Sequence, residues 1–591
     1  MKKHSVTALL LLLFLSGISF AEIDWTTRFE KSKGTETPRY QETIDFCRQL
    51  AEHSDWMYFT SFGTSPQGRD LPLLIIDKDG QFSPVPAEKR RKAVVLIQAG
   101  IHSGEIDGKD AMFLLLRDLV VQGKYKELFE NTTVLFIPIF NVDGHERFGP
   151  FNRANQIGPK EMGWRTTAQN LNLNRDFLKA DAPEMQHWLR LFSKWLPDFL
   201  VDIHVTDGAD YQYVLTYGLE TSANMPEPLR TFAASRFEPT LLKQMAAQGY
   251  PMHSYVMFRN WNDIFSGLRA GAASPRYSTG YGLVQNRIFF LVETHSLKNY
   301  RTRVLATRTL LQEILGFVNQ NASEILKINL ETDQRTAEQL AGRFMPINLT
   351  YSRRDSIWTD FAGVELEKKP SEISGMDWVI YHPEKPKTYR LKYFSKIIIT
   401  DSVKVPYAYI VPPQWQEEIE RMKLHGVEIK YLTEEITLPV YGYRFSEPKW
   451  AQTPFEGRFR VEAKTSLIKE TRTFPKNSAV ILLNQRTNRV IVHLLEPKAP
   501  DSFLSWGFWN QIFEQKEYAE AYTLEQLARQ MLKDNPALQK EFEAKLQADS
   551  AFAANPYQRL YFFYKHSPYW DHEKDHYPVS ILYEPADLPL Q

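Results

Sequence analysis

The sequence predicts an α/β protein with a mixed central sheet flanked by helices, followed by a strand-rich α+β accessory region at the C-terminus. Three observations carry this. An apolar run at 92–97 is followed by a helix-length apolar stretch at 110–121 and by a second apolar run at 132–140, the strand–helix–strand order of a crossover unit. Two later runs of β-branched and aromatic residues, 198–204 and 287–293, each end on a side chain able to bind metal or move a proton, His204 and Glu293. From about residue 330 the pattern changes to repeated short strand-like runs.

Taken in order, Lys2 and Lys3 precede an apolar stretch at 8–15, and Ser19-Phe20-Ala21 supplies small residues for a signal peptidase, so 1–21 reads as a secretory signal peptide. Export to the periplasm or the outside follows from that reading. A length of 591 residues exceeds one hydrophobic core. The expected divisions are 22–325, an α/β domain; 330–500, a strand-rich accessory domain; and 501–591, a helical C-terminal region. Lys+Arg and Asp+Glu both number 71, which gives no electrostatic case for nucleic acid as partner. No later segment has the roughly 18 apolar residues a membrane span needs. Cys47 is the single cysteine, so no internal disulfide can form.

A helix is expected at 41–51, then strands at 57–62 and 71–76 joined through the turn signal Ser65-Pro66-Gln67-Gly68. The run at 92–97 reads as a buried strand leading into His102-Ser103-Gly104-Glu105, with Gly100 and Gly104 allowing a sharp bend. The strand at 132–140 ends at Asn141-Val142-Asp143-Gly144. Residues 145–180 lack apolar periodicity and read as a long loop, a length usually kept for function. A helix starts at Asp181-Ala182-Pro183-Glu184, with Asp181 as cap and Glu184 closing a capping box, and stops before Pro197. Helical segments are expected at 226–249 and 303–320, and a flexible Tyr-, Gly- and Ser-rich loop at 274–286. In the C-terminal region, strands are expected at 378–381, 397–400, 407–411, 479–483 and 490–494, with helices at 417–424 and through 502–545. His572 and His576 lie among Pro-flanked residues that promise no helix, so they do not read as a metal pair.

Imidazole and carboxylate are both good zinc ligands, and His102 and Glu105 offer two from one bend of chain. His204, at the end of a strand, can supply the third. Such a set leaves an open position on zinc, where water is acidified to a pKa near ~7. Glu293, ending another strand, can accept and return a proton.

With these motifs in this order, residues 40–320 resemble the zinc metallocarboxypeptidases of the carboxypeptidase A type. The resemblance implies a catalytic domain holding one Zn2+ through His102, Glu105 and His204. It implies that Trp164-Arg165 carries the arginine that polarises the scissile carbonyl, that Asn174 and Arg175 clamp the substrate's terminal carboxylate, and that Glu293 is the general base. A capping tyrosine is also implied: Tyr281, between two glycines, is the first candidate and Tyr277 its rival. The expected activity is secreted hydrolysis of the C-terminal peptide bond, with peptide or protein C-termini as partners. Action on N-acyl amino acids or peptidoglycan peptides by the same zinc chemistry is the alternative. A non-catalytic relative would lack a ligand or the base, and none is missing here. The sequence departs from the family where Asn-Arg-Asn reads Asn174-Arg175-Asp176; the added carboxylate is expected either to steer acidic substrates away or to brace Arg175. The spacing from Arg165 to Asn174 is also short. The motifs do not extend into 330–591.

Overall fold

The computed structural model describes residues 23–261 and 263–591; the signal peptide read at 1–21 lies outside the described residues. In chain order the first strands are β1 (Met57–Thr64), β2 (Asp70–Ile76), β3 (Ala93–Ala99), β4 (Thr132–Ile137), β5 (Phe199–Thr206), β6 (Leu215–Leu219), β7 (Met252–Ser254), β8 (Phe258–Asn260), β9 (Asp263–Arg269) and β10 (Ile288–His295). An 8-stranded sheet has the order β1-β2-β4-β3-β5-β10-β6-β7. The β4-β3-β5-β10 block is parallel, while β1, β2 and β6 pair antiparallel, so the sheet is mixed. Every residue of β3, β4 and β5 is buried, which is why these strands read as unbroken apolar runs instead of alternating ones. The helix Asp107–Gln122 joins β3 to β4 and packs against the helix Tyr300–Gln320.

The C-terminal region adds β11 (Phe344–Tyr351), β12 (Ile357–Pro370), β13 (Asp377–Phe394), β14 (Ile397–Lys404), β15 (Ala408–Val411), β16 (Lys430–Tyr431), β17 (Ile436–Trp450), β18 (Val461–Phe474), β19 (Ala479–Leu482) and β20 (Ser580–Leu582). A 6-stranded sheet runs β16-β19-β15-β20-β17-β18, so the tail inserts a strand into the middle of the accessory sheet. The β12–β13 hairpin pairs with β9, extending a sheet that starts in the first region. One apolar core runs through both regions, with Leu96 and Ile203 in the same cluster as Val411, Leu483 and Trp509.

Five expectations are corrected. The helix expected through 502–545 begins only at Ala521, after turns and a short 3-10 helix at Asn510–Phe513. Residues 490–494 belong to a helix, Asn488–Leu495, of only two turns, whose β-branched Val490-Ile491-Val492 imitates a strand. Residues 278–284, expected to be flexible, form a buried helix, Ser278–Val284. Its glycines serve close packing: a Cβ on Gly282 would lie 2.3 Å from the Phe289 ring and one on Gly280 would lie 2.2 Å from the Ser274 carbonyl oxygen. The helix Pro183–Trp195 has no side-chain cap from Asp181. Asp176 instead holds the chain just ahead of the helix, accepting the N–H groups of Asp181 (3.0 Å) and Ala182 (2.8 Å), while Asp181 pairs with Arg458. Glu184 closes no capping box; both its oxygens are buried without a partner among the described residues, and burial pushes its carboxyl up to about 7.

Candidate active site

The site lies at the C-terminal ends of β3, β5 and β10, adjacent parallel strands, where an open sheet leaves a crevice for ligand. After β3 the chain turns at Gly100, whose φ of +68° suits glycine. The His102–Glu105 bend follows, closed by a 2.8 Å bond from the Glu105 N–H to the His102 carbonyl. The Ser103 hydroxyl donates to the Asn141 carbonyl at 2.6 Å and ties the bend to the end of β4. His204 on β5 and Glu293 on β10 are paired in register, so their side chains leave the same face of the sheet.

His102, Glu105 and His204 are brought together, with one ligand atom of each within 4.8 Å of the others. The Nδ1 atoms of His102 and His204 lie 3.2 and 3.0 Å from the same Glu105 oxygen. Their far nitrogens are also held: Nε2 of His102 is 3.0 Å from Asn172 Oδ1, and Nε2 of His204 is 3.0 Å from Asp202 Oδ2. Asp202 accepts from Gln98 at 2.9 Å, and Gln98 accepts from Trp188 Nε1 at 2.8 Å, so this ligand is anchored in the core. With acceptors on both Nε2 atoms, the Nδ1 atoms are the ones that face Glu105 and would take an ion. Two imidazoles and a carboxylate so oriented fit a zinc ion with one position left open. Replacing Asp202 with Asn removes the charged acceptor and is expected to weaken zinc binding roughly 10- to 100-fold, read by chelator competition.

Burial lowers His102 to about 4, which keeps it neutral, as a metal ligand must be. Burial opposes charge on Glu105, yet His102 and Arg153 hold its carboxyl well below the usual range. Burial also opposes charge on His204, but the Asp202 carboxylate outweighs it and raises that imidazole well above its ordinary value. Burial, reinforced by Glu105 and Asp202, pushes Glu293 up to about 8 against the pull of His204; a divalent cation beside it would draw it back down.

These groups open onto a cavity of about 1000 Å³ that is also lined by Arg165, Asn174, Arg175 and Tyr277. Arg165 lies 3.2 Å from Glu105 Oε1. The Arg175 guanidinium sits 4.5 Å from the centroid of the Tyr277 ring and donates to the Asn174 carbonyl at 2.7 Å. Asn174 Oδ1 is buried with no partner among the described residues. Tyr281 is corrected: it is fully buried among Phe177, Trp188 and Phe192, its hydroxyl 2.9 Å from His425, and it does not line the cavity, whereas Tyr277 does. Asp176 neither faces the cavity nor braces Arg175; it is buried against Lys179 and the start of the next helix.

Two cavity residues escaped the sequence reading. Arg153 pairs with Glu105 Oε1 at 2.7 Å; its one signal is a further arginine in the long loop that carries Arg165. The Tyr255 hydroxyl lies 3.2 Å from that of Thr206, and burial, with the Glu293 charge adding to it, raises that phenol. No motif marks it. Tyr393, Ser395 and Ile397 of the C-terminal region line the same cavity.

Fold and site together define a mixed α/β sheet with a His-Glu-His set suited to a single divalent ion at the ends of parallel strands. Residues 43–198 match the model of the zinc carboxypeptidase family. That match takes in His102, Glu105, Arg165, Asn174 and Arg175, so the stretch carrying most of the site is similar to a zinc carboxypeptidase domain. The chain is 25% identical over 492 residues to "Carboxypeptidase 2" of Trichophyton rubrum, covering 80% of this chain and 85% of that protein. It is 24% identical over 487 residues to "Probable carboxypeptidase 2" of Arthroderma benhamiae, covering 80% of this chain and 86% of that protein. Similarity over 80% of the chain runs well into the C-terminal region. Among solved structures, it is similar to a metallo-carboxypeptidase from Pseudomonas aeruginosa in complex with (2-guanidinoethylmercapto)succinic acid, at 18% identity and TM-score 0.36, covering 48% of this chain and 69% of that one.

Proposed function

We propose that the chain is an exported carboxypeptidase with one zinc ion, which removes the residue at the free C-terminus of a peptide with Glu293 as general base. The observation that carries this reading is the convergence of His102, Glu105 and His204 beside Glu293 in a cavity that also holds Arg165 and Arg175. Bound zinc would supply a Lewis acid for the scissile carbonyl and lower the pKa of water. Glu293 takes the proton of the attacking water and delivers it to the leaving amine. Arg165 places fixed positive charge where negative charge develops on the carbonyl oxygen. Arg175, a planar fork of donors, and Asn174 receive the terminal carboxylate, which restricts cleavage to chain ends. Tyr277, beside Arg175, closes over that terminus. Export is supported by Lys2, Lys3 and the apolar stretch at 8–15, and among the described residues no helix is long and apolar enough to cross a membrane.

Arg175→Ala is expected to raise KM for free-acid peptides roughly 10- to 100-fold, the loss of a charged hydrogen-bonded pair, and to erase discrimination against C-terminal amides. Steady-state kinetics on a matched acid–amide pair checks this. The reading as a whole is tested by incubating zinc-loaded protein with free-acid peptides, their amides, N-acyl amino acids and muropeptides, followed by mass spectrometry. Stepwise shortening of the free-acid peptides alone is the expected result. Turnover confined to N-acyl amino acids or muropeptides, or equal cleavage of the amides, contradicts it.

A further inference from the structure

We infer that Glu456, on a turn of the C-terminal region, is a positioning residue for the metal centre and the carboxylate clamp; this rests on the carboxypeptidase reading above. The turn lies between β17 and β18. The Phe455 N–H donates to the Arg458 carbonyl at 3.0 Å and the Arg458 N–H to the Phe455 carbonyl at 3.1 Å, closing a two-residue turn over Glu456 and Gly457. Both central residues have positive φ, +51° and +76°. Such turns take glycine or asparagine at these positions, and a glutamate there is strained. The strain is matched by what its side chain reaches. Glu456 Oε2 accepts the backbone N–H of Asn172 at 2.9 Å. Asn172 Oδ1 in turn lies 3.0 Å from His102 Nε2 and accepts the Asn174 N–H at 3.0 Å.

One carboxylate therefore fixes the backbone from which both the His102 ring and the Asn174-Arg175 pair are oriented. The loop carrying them has only a short 3-10 turn, Leu173–Arg175, as regular structure, so its shape depends on contacts of this kind. The turn is itself anchored to the catalytic region. Arg458 forks onto Asp181 through two bonds of 2.7 Å, and a Cβ on Gly457 would lie 3.5 Å from Leu171 Cδ2. Phe455 stacks on Trp506 with centroids 5.9 Å apart. The C-terminal region thus contributes to the site through a side chain placed where glycine would be relaxed.

Full-length Glu456→Gly and Glu456→Gln test this, with zinc affinity measured by chelator competition, kcat and KM on a free-acid peptide, and Tm. Glycine relieves the strain, so Tm holds or rises, while zinc affinity weakens and KM rises, each roughly tenfold. Glu456→Gln, whose amide oxygen accepts the same N–H, stays within about twofold of wild type in both. Glu456→Asn tolerates positive φ and is too short to reach Asn172, so it repeats the glycine result if that variant is poorly recovered. Wild-type zinc affinity and KM in Glu456→Gly overturn the inference, whatever its Tm. A wild-type protein that binds zinc but cleaves no peptide overturns the carboxypeptidase reading, while the zinc affinities still decide the role of Glu456.

Discussion

Glu293→Gln is expected to lower kcat roughly 10²- to 10⁴-fold with zinc content unchanged, the usual contribution of a positioned acid–base group. The substitution keeps size and shape and removes only the capacity to take a proton. Glu293 stands in register with His204 but is not among the three residues whose ligand atoms converge, so the ion stays. The pH profile gives a second readout. A protonated carboxyl cannot act as base, so activity falls as pH drops through the Glu293 pKa. Burial raises that pKa to about 8 and a bound cation lowers it, so the acid limb of kcat/KM lies below pH 8 in the wild type and is absent from the variant's residual activity. A variant with kcat within a few-fold of wild type would assign the proton transfer elsewhere.

His204→Ala is expected to abolish activity by loss of the metal, weakening zinc more than roughly 100-fold, since a direct ligand counts for more than its outer-shell partners. It also strips partners from two buried carboxylates, Asp202 and Glu105, so the apo variant is less stable than the apo wild type. Zinc distinguishes the two effects. An ion that binds only the folded state stabilises it by about 2.7 kcal/mol at a hundred times its Kd. Wild-type Tm therefore rises on adding zinc, and that of His204→Ala does not. Calorimetry with and without zinc, together with metal analysis, checks both statements. A zinc-dependent rise in Tm retained by the variant would place the ion elsewhere.

Much of the central sheet was legible because its strands are apolar throughout, and the polar residues that end them stand out: His102 and Glu105 after β3, His204 on β5 and Glu293 on β10. Sequence order carries that kind of signal. It carries much less about which polar groups meet across long separations. Asp181 reads as a helix cap because its sequence neighbours suit one, but its carboxylate is taken by Arg458, 277 positions away. Nothing near Asn172 in the chain marks it, since the group holding its backbone, Glu456, lies 284 positions on. Tyr281 was misplaced for a different reason. Glycines on either side of a tyrosine suggest a hinge, yet here they let a helix approach Phe289 and the 273–274 backbone, which buries that tyrosine and leaves Tyr277 at the cavity. Residues 490–494 read as a strand because the run Val490-Ile491-Val492 is β-branched and the helix Asn488–Leu495 is only two turns long, too short for its period to stand out.

The central claim is that one ion is held by three side chains drawn from two strand ends. Anomalous diffraction at the zinc edge from crystals of the zinc-loaded protein tests it most directly. The account predicts a single strong peak bounded by Nδ1 of His102, Nδ1 of His204 and the Glu105 carboxylate. A peak at any other cluster, or a zinc-loaded crystal with none between these three residues, would contradict it.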